Sequence, residues 1–148
     1  MQVLSLPGYY YFTLRWHNRY KGAIRTMEPT LIDVTRDNVD KLGFFCYMSK
    51  KKAPGYKNKL DWIKERFDEG LRLKKFELPV RGFVEYIPGE YAWRPVHAKG
   101  YMFIHCIWVV GKSKGNGYSS LLVEQVLADA EAAGMKGVAM VTSDKVWL

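Results

Sequence analysis

The chain has 148 residues, 48% hydrophobic and 15% aromatic, with a formal net charge of +8 and a pI near 9.5. That length buries one core and calls for no second full domain, and the apolar content is too high for a disordered chain. No apolar run reaches the roughly 20 residues of a membrane helix, and no small-residue cleavage site follows the aromatic run at residues 9–12, so a soluble, cytoplasmic protein without a signal peptide is expected.

Residues 1–26 stand apart as an N-terminal extension, rich in aromatic residues (Tyr9, Tyr10, Tyr11, Phe12) and then basic at Arg15, Arg19 and Lys21. Residues 30–34 read as a short apolar strand. Thr35 is placed to cap a helix that carries Val39, Leu42, Phe45 and Cys46 on one side. The lysine run at 50–52 and Pro54-Gly55 end that helix. A second helix over residues 57–69 turns Leu60, Ile63 and Phe67 inward and stops at Gly70. Residues 72–78 and 80–87 read as two antiparallel strands about Pro79, and Pro88-Gly89 turns the chain again. Residues 101–110 are apolar on both faces apart from His105, the pattern of a central strand. A helix over residues 118–133 then sets Leu121, Leu122, Gln125, Val126 and Ala130 on one face, ends at Gly134, and leads into a strand over 137–141. The fold class is α/β (α+β), a mixed and mostly antiparallel sheet flanked by helices.

Between the central strand and the last helix lies Gly-Lys-Ser-Lys-Gly-Asn-Gly-Tyr-Ser-Ser, residues 111–120. Gly115 and Gly117 let the backbone approach a ligand without a Cβ in the way, Lys112 and Lys114 supply charge, and Ser119 and Ser120 keep the first helical turn open. Together with a helix N-terminus, these features form a phosphate cradle. The spacing is neither that of a Walker A loop nor GxGxxG. It resembles the acetyl-CoA signature of the GNAT superfamily of N-acetyltransferases, Arg/Gln-x-x-Gly-x-Gly/Ala, read as Lys114-Gly115-Asn116-Gly117-Tyr118-Ser119, with lysine for the arginine or glutamine and serine for the last small residue. The likeness extends over residues 27–148. It is carried by residues 85–96 (Glu-Tyr-Ile-Pro-Gly-Glu-Tyr-Ala-Trp-Arg-Pro-Val) and 100–108 (Gly-Tyr-Met-Phe-Ile-His-Cys-Ile-Trp), which are similar to a YoaP-like subfamily of these enzymes.

The resemblance implies transfer of an acetyl group from acetyl-CoA to an amine. The pantetheine arm would run along the backbone of Trp108, Val109 and Val110 like an added strand, and the pyrophosphate would sit on Lys112, Lys114, Gly115, Asn116, Gly117, Tyr118, Ser119 and Ser120. Counting back from Lys114 places Phe103 where many members have a glutamate base. His105, two residues on, matches a histidine of arylalkylamine acetyltransferases, and Glu85 on the adjacent strand is the second candidate. Strand alternation points Cys106 away from His105. Cys46 and Cys106 have neither metal-ligand spacing nor a disulfide framework, so no metal is expected. The acceptor is left unidentified, although the basic loop over residues 48–59 disfavours a polycation.

In the same family a further helix and two strands follow the position of residues 142–148. Their absence predicts an uncovered sheet edge, a homodimer through it, and weak transfer. A non-catalytic CoA-binding or interaction module is the alternative reading. A basic nucleic-acid-binding protein, suited by the lysine run, is the third and rests on charge and aromatic content alone.

Overall fold

The structure, a computed structural model, describes residues 29–44 and 51–142 in full, and the backbone of residues 2–6 and 9–14. Strands β1 (Gln2–Leu6), β2 (Tyr9–Leu14) and β3 (Leu31–Val34) are followed by a one-turn helix α1 (Val39–Leu42) and by α2 (Tyr56–Asp68). Next come β4 (Arg72–Phe76), β5 (Gly82–Pro88), β6 (Met102–Val109), α3 (Tyr118–Ala132) and β7 (Val138–Thr142). Among the described residues these strands form one seven-stranded sheet in the order β1-β2-β7-β6-β5-β4-β3. Every neighbouring pair is antiparallel except β6 and β7, which run parallel because α3 carries the chain back across the sheet.

Alternation along the strands sorts the core into two layers. On one face Val84, Tyr86, Met102 and Ile104 meet Leu122, Val126 and Ala130, the four-residue repeat of α3. On the other, Leu73, Phe83 and Ile87 meet Val39, Phe44 and Ile63 from the α1–α2 layer. Each fully buried side chain of this kind contributes about 1.5–3 kcal/mol. A polar seam fixes α3 to the sheet: Tyr86 donates to Asp129, which Arg72 reaches at 3.3 Å, Lys74 at 3.5 Å and Gln125 at 3.0 Å. Burial works to raise the Asp129 carboxyl, but the Tyr86 hydrogen bond and the cations outweigh it and hold the group below its ordinary range.

Several expectations change. α1 stops after one turn because Gly43, at φ 73°, turns the chain out of the helix, and Phe45 and Cys46 lie outside the described residues. The N-cap of α1 is Asn38, not Thr35; its side chain accepts from the Thr35 N–H at 2.8 Å and donates to the Asp33 carbonyl at 3.0 Å. The outer edge of β7, expected to be open to a second copy of the chain, pairs with β2 from Tyr10↔Thr142 to Leu14↔Val138. Strands β1 and β2 thus share one sheet with β3 to β7. Among the described residues no helix is long and apolar enough to cross a membrane.

Candidate active site

β6 and β7 pair only from Met102↔Val138 to Ile104↔Met140, although β6 continues to Val109 and β7 to Thr142. Beyond Ile104 the two strands separate. The β6–β5 ladder shifts register at the same level: Glu85 faces Cys106 while Tyr86 faces Ile104, leaving His105 as the extra residue of a bulge. The bulge falls where the pairing of β6 with β7 ends, so from His105 to Val109 the main chain of β6 has no ladder partner on that side among the described residues.

At the far end of this unpaired stretch lies a cleft of about 350 Å³ lined by Ile107, Trp108, Val109, Ser113, Lys114, Gly115, Gly117, Tyr118 and Ser119. Gly117 stands at the N-cap of α3 with φ 77° and no side-chain cap, the arrangement that leaves first-turn amides free for an anion. Gly115 has φ 79°, and a Cβ on either glycine would meet nothing within 4 Å, so both face open space. Asn116 ties the turn internally, donating to the carbonyls of Lys112 and Lys114 at 3.1 Å each.

Most of the expected coenzyme residues converge here. Val110, Lys112, Asn116 and Ser120 do not line the cleft. Val110 is committed elsewhere, its N–H donating to the Arg81 carbonyl at 3.0 Å and its carbonyl accepting from Ser113 at 3.2 Å. The sequence reading missed Ile107 and Ser113. Ser113 is buried and its Oγ accepts from the Arg81 N–H at 2.9 Å, which anchors the turn to the start of β5; the one signal for it was a small hydroxyl residue between two lysines.

On the α1–α2 face the bulge corrects one direction. His105 and Cys106 both point to this side, Cys106 against the cluster of Phe83 and Ile87, and His105 against Trp93. The His105 ring lies face to face with Trp93, centroids 3.5 Å apart and planes 5° from parallel, and edge-on to Phe103 at 4.7 Å. Trp62 of α2 meets Trp93 edge-on at 4.8 Å. Trp93 is held by a self-bonded loop: the Gly89 N–H donates to the Tyr101 carbonyl at 2.8 Å and the Gly100 N–H to Glu90 Oε1 at 2.9 Å. Only glycine fits at 89, because a Cβ would lie 2.0 Å from the Ala98 carbonyl oxygen.

Both His105 ring nitrogens are buried and lack a hydrogen-bond partner among the described residues. Burial, helped by the Arg94 guanidinium, pushes its pKa down to about 3. Glu85 is also buried, with Oε2 unpartnered; burial raises its pKa against the pull of Lys59. In these surroundings Glu85 is the stronger proton acceptor of the two, the reverse of the order the sequence suggests. Of the lysine run, Lys51 and Lys52 are exposed and Lys50 lies outside the described residues. Among the described residues no group of three or more His, Cys, Asp or Glu side chains could hold a metal ion.

No family model matches the sequence. The chain is 36% identical over 115 residues to an uncharacterized N-acetyltransferase, YoaP, of Bacillus subtilis (strain 168), a match covering 77% of this chain and 46% of the relative. The chain thus spans about half the length of that curated relative. Among solved structures, a predicted acetyltransferase with acetyl-CoA from Clostridium acetobutylicum superposes with a TM-score of 0.52 at 11% identity, covering 78% of this chain and 81% of that one. A functionally unknown conserved protein of Staphylococcus epidermidis gives a TM-score of 0.44 at 13% identity, covering 83% and 46%. The chain thus shares the fold of the Clostridium acetobutylicum protein, a mixed and mostly antiparallel sheet flanked by helices.

Proposed function

We propose that this chain, which by sequence and fold stands with the GNAT-type N-acetyltransferases, binds acetyl-CoA in the β6–β7 opening and transfers its acetyl group to an amine. The observation that carries the reading is the coincidence at one place of a strand edge released from pairing after Ile104, a left-handed glycine turn, and an uncapped helix N-terminus. The pyrophosphate fits the turn at Gly115 and Gly117 with Lys114 beside it, and the pantetheine amides fit the open main chain from Ile107 to Val109. In this reading the thioester lies near the bulge, at the level on β6 where Glu85 of β5 faces Cys106 and His105 stands extra.

The chemistry asks the protein for a base and for positioning. An incoming ammonium gives one proton to the Glu85 carboxylate, whose raised pKa suits it to the task. The neutral nitrogen attacks the thioester carbonyl, the C–S bond breaks as the amide forms, and the second amine proton goes to the departing thiolate. Main-chain N–H groups on the β6 edge polarise the carbonyl. His105, held neutral under Trp93, serves as a wall that positions the reacting groups. A cytoplasmic setting belongs to this reading.

The test is an incubation of the purified chain with acetyl-CoA and a panel of amines, reading free thiol and acetylated amine together. Equal amounts of both, lost in Glu85→Gln while acetyl-CoA binding is retained, support the reading. Absence of acetylated product with every amine overturns it.

A further inference from the structure

The Ser113 hydroxyl is buried in the wall of the cleft with part of its hydrogen-bonding capacity unused. The residue is 8% exposed and lines the cleft together with Val109 and Lys114. Its Oγ accepts from the Arg81 N–H at 2.9 Å, yet among the described residues the hydroxyl donates to nothing. The acceptors nearest in the chain are engaged by other donors. The Val110 carbonyl accepts from the Ser113 N–H at 3.2 Å, and the Lys112 and Lys114 carbonyls both accept from the Asn116 side chain at 3.1 Å.

A buried hydroxyl proton without an acceptor costs free energy, and the cleft is the side from which an acceptor can arrive. The polar surroundings say what kind it is. The Lys114 ammonium and the first-turn amides of α3 can only donate, and no carboxylate lines the cleft. An ionised phosphate oxygen, which accepts and does not donate, complements such a set. We propose that Ser113 is a coenzyme-contacting residue, its hydroxyl donating to a pyrophosphate oxygen beside Lys114. This rests on the acetyl-CoA reading and deepens it.

The bond from Arg81 holds Oγ in place before any ligand binds. Main chain on both sides of Ser113 is fixed as well: the Val110 N–H donates to the Arg81 carbonyl at 3.0 Å and the Lys114 N–H to the Gly111 carbonyl at 3.2 Å. Little ordering is left for the moment the anion arrives, and that pre-organisation makes a single neutral donor effective. Alanine at 113 removes the donor to the anion and strands the Arg81 N–H, whereas threonine keeps the hydroxyl.

The experiment is calorimetry with coenzyme A on the wild-type chain, Ser113→Ala and Ser113→Thr, with circular dichroism as the check of fold, together with a crystal structure of the wild-type complex. Ser113→Ala should bind about ten- to a hundredfold more weakly, the scale of one hydrogen bond to a charged group, and Ser113→Thr should stay within about fivefold of wild type. In the complex, Ser113 Oγ should lie about 2.5–3.0 Å from a pyrophosphate oxygen. Unchanged affinity in Ser113→Ala, or a pyrophosphate farther than about 3.5 Å from Oγ, overturns the proposal and leaves the coenzyme reading standing. A wild-type chain that does not bind coenzyme A overturns both. Should Ser113→Ala fail to fold once the Arg81 bond is gone, the distance in the wild-type complex decides alone.

Discussion

Replacing Gly117 by aspartate, with asparagine as its neutral twin, separates charge from shape at the proposed pyrophosphate site. Gly117 has φ 77° and ψ 0°, and a Cβ there meets nothing within 4 Å. The cost to the fold is that of one side chain in the left-handed region, about 1–2 kcal/mol, least for the asparagine and aspartate that tolerate it. The aspartate carboxylate sits over the first-turn amides of α3, where the pyrophosphate is to dock. Two unit charges about 4 Å apart repel by roughly 1 kcal/mol in bulk water and roughly 4 kcal/mol near a protein surface. Gly117→Asp should therefore bind coenzyme A more weakly than Gly117→Asn by a factor between about 5 and several hundred. Calorimetry gives the two affinities, circular dichroism checks that both variants fold, and added salt should shrink the gap. If the aspartate variant binds as tightly as the asparagine variant, no anion sits at this turn and the cradle assignment fails.

Glu85→Gln should lower kcat by about 100- to 10,000-fold with acetyl-CoA affinity preserved, the range for loss of a positioned base. Because the ionised carboxylate is the active form and burial raises its pKa, the wild-type rate should climb with pH through an ionisation above the ordinary carboxylate range; a rate already flat there would remove Glu85 as the base. His105 titrates near 6.5 when unfolded and about 3 when folded, so the unfolded chain holds the extra proton between those values. Its contribution to stability is full above the unfolded value and is lost as pH falls toward the folded one. His105→Phe, which keeps the stack on Trp93, should flatten that slope in urea unfolding across the range, and an unchanged slope would place the titration elsewhere. Deleting residues 1–26 uncovers the β7 edge paired at residues 138–142 and should cause concentration-dependent association in sedimentation; a monomeric product would show that this edge needs no cover.

Features set by local pattern were legible in the sequence. The apolar run of β6, the glycine turn and the repeat of Leu122, Val126 and Ala130 in α3 all read directly, because each needs only neighbours within a few residues. What stayed hidden depends on partners distant in sequence. The bulge at His105 is a register event between β5 and β6, so alternation within β6 alone put Cys106 on the wrong face. The stack of Trp93 on His105 comes from a loop folded on its own hydrogen bonds, and it turns an apparent base into a buried neutral ring. The pairing of β2 with β7 joins the two ends of the described chain, and no periodicity reports it. The family resemblance put Val110 beside the coenzyme, while the distant partner its amide finds, the Arg81 carbonyl, carried no local signal.

The most direct test of the central claim is a crystal structure of the chain with coenzyme A. The account predicts the pyrophosphate on the amides at Gly117 to Ser119 with Lys114 beside it, and the pantetheine amides bonded to β6 main chain between Ile107 and Val109, its thiol pointing toward the bulge at His105. Coenzyme bound elsewhere, or the β6 edge closed against β7 along that stretch, would contradict it.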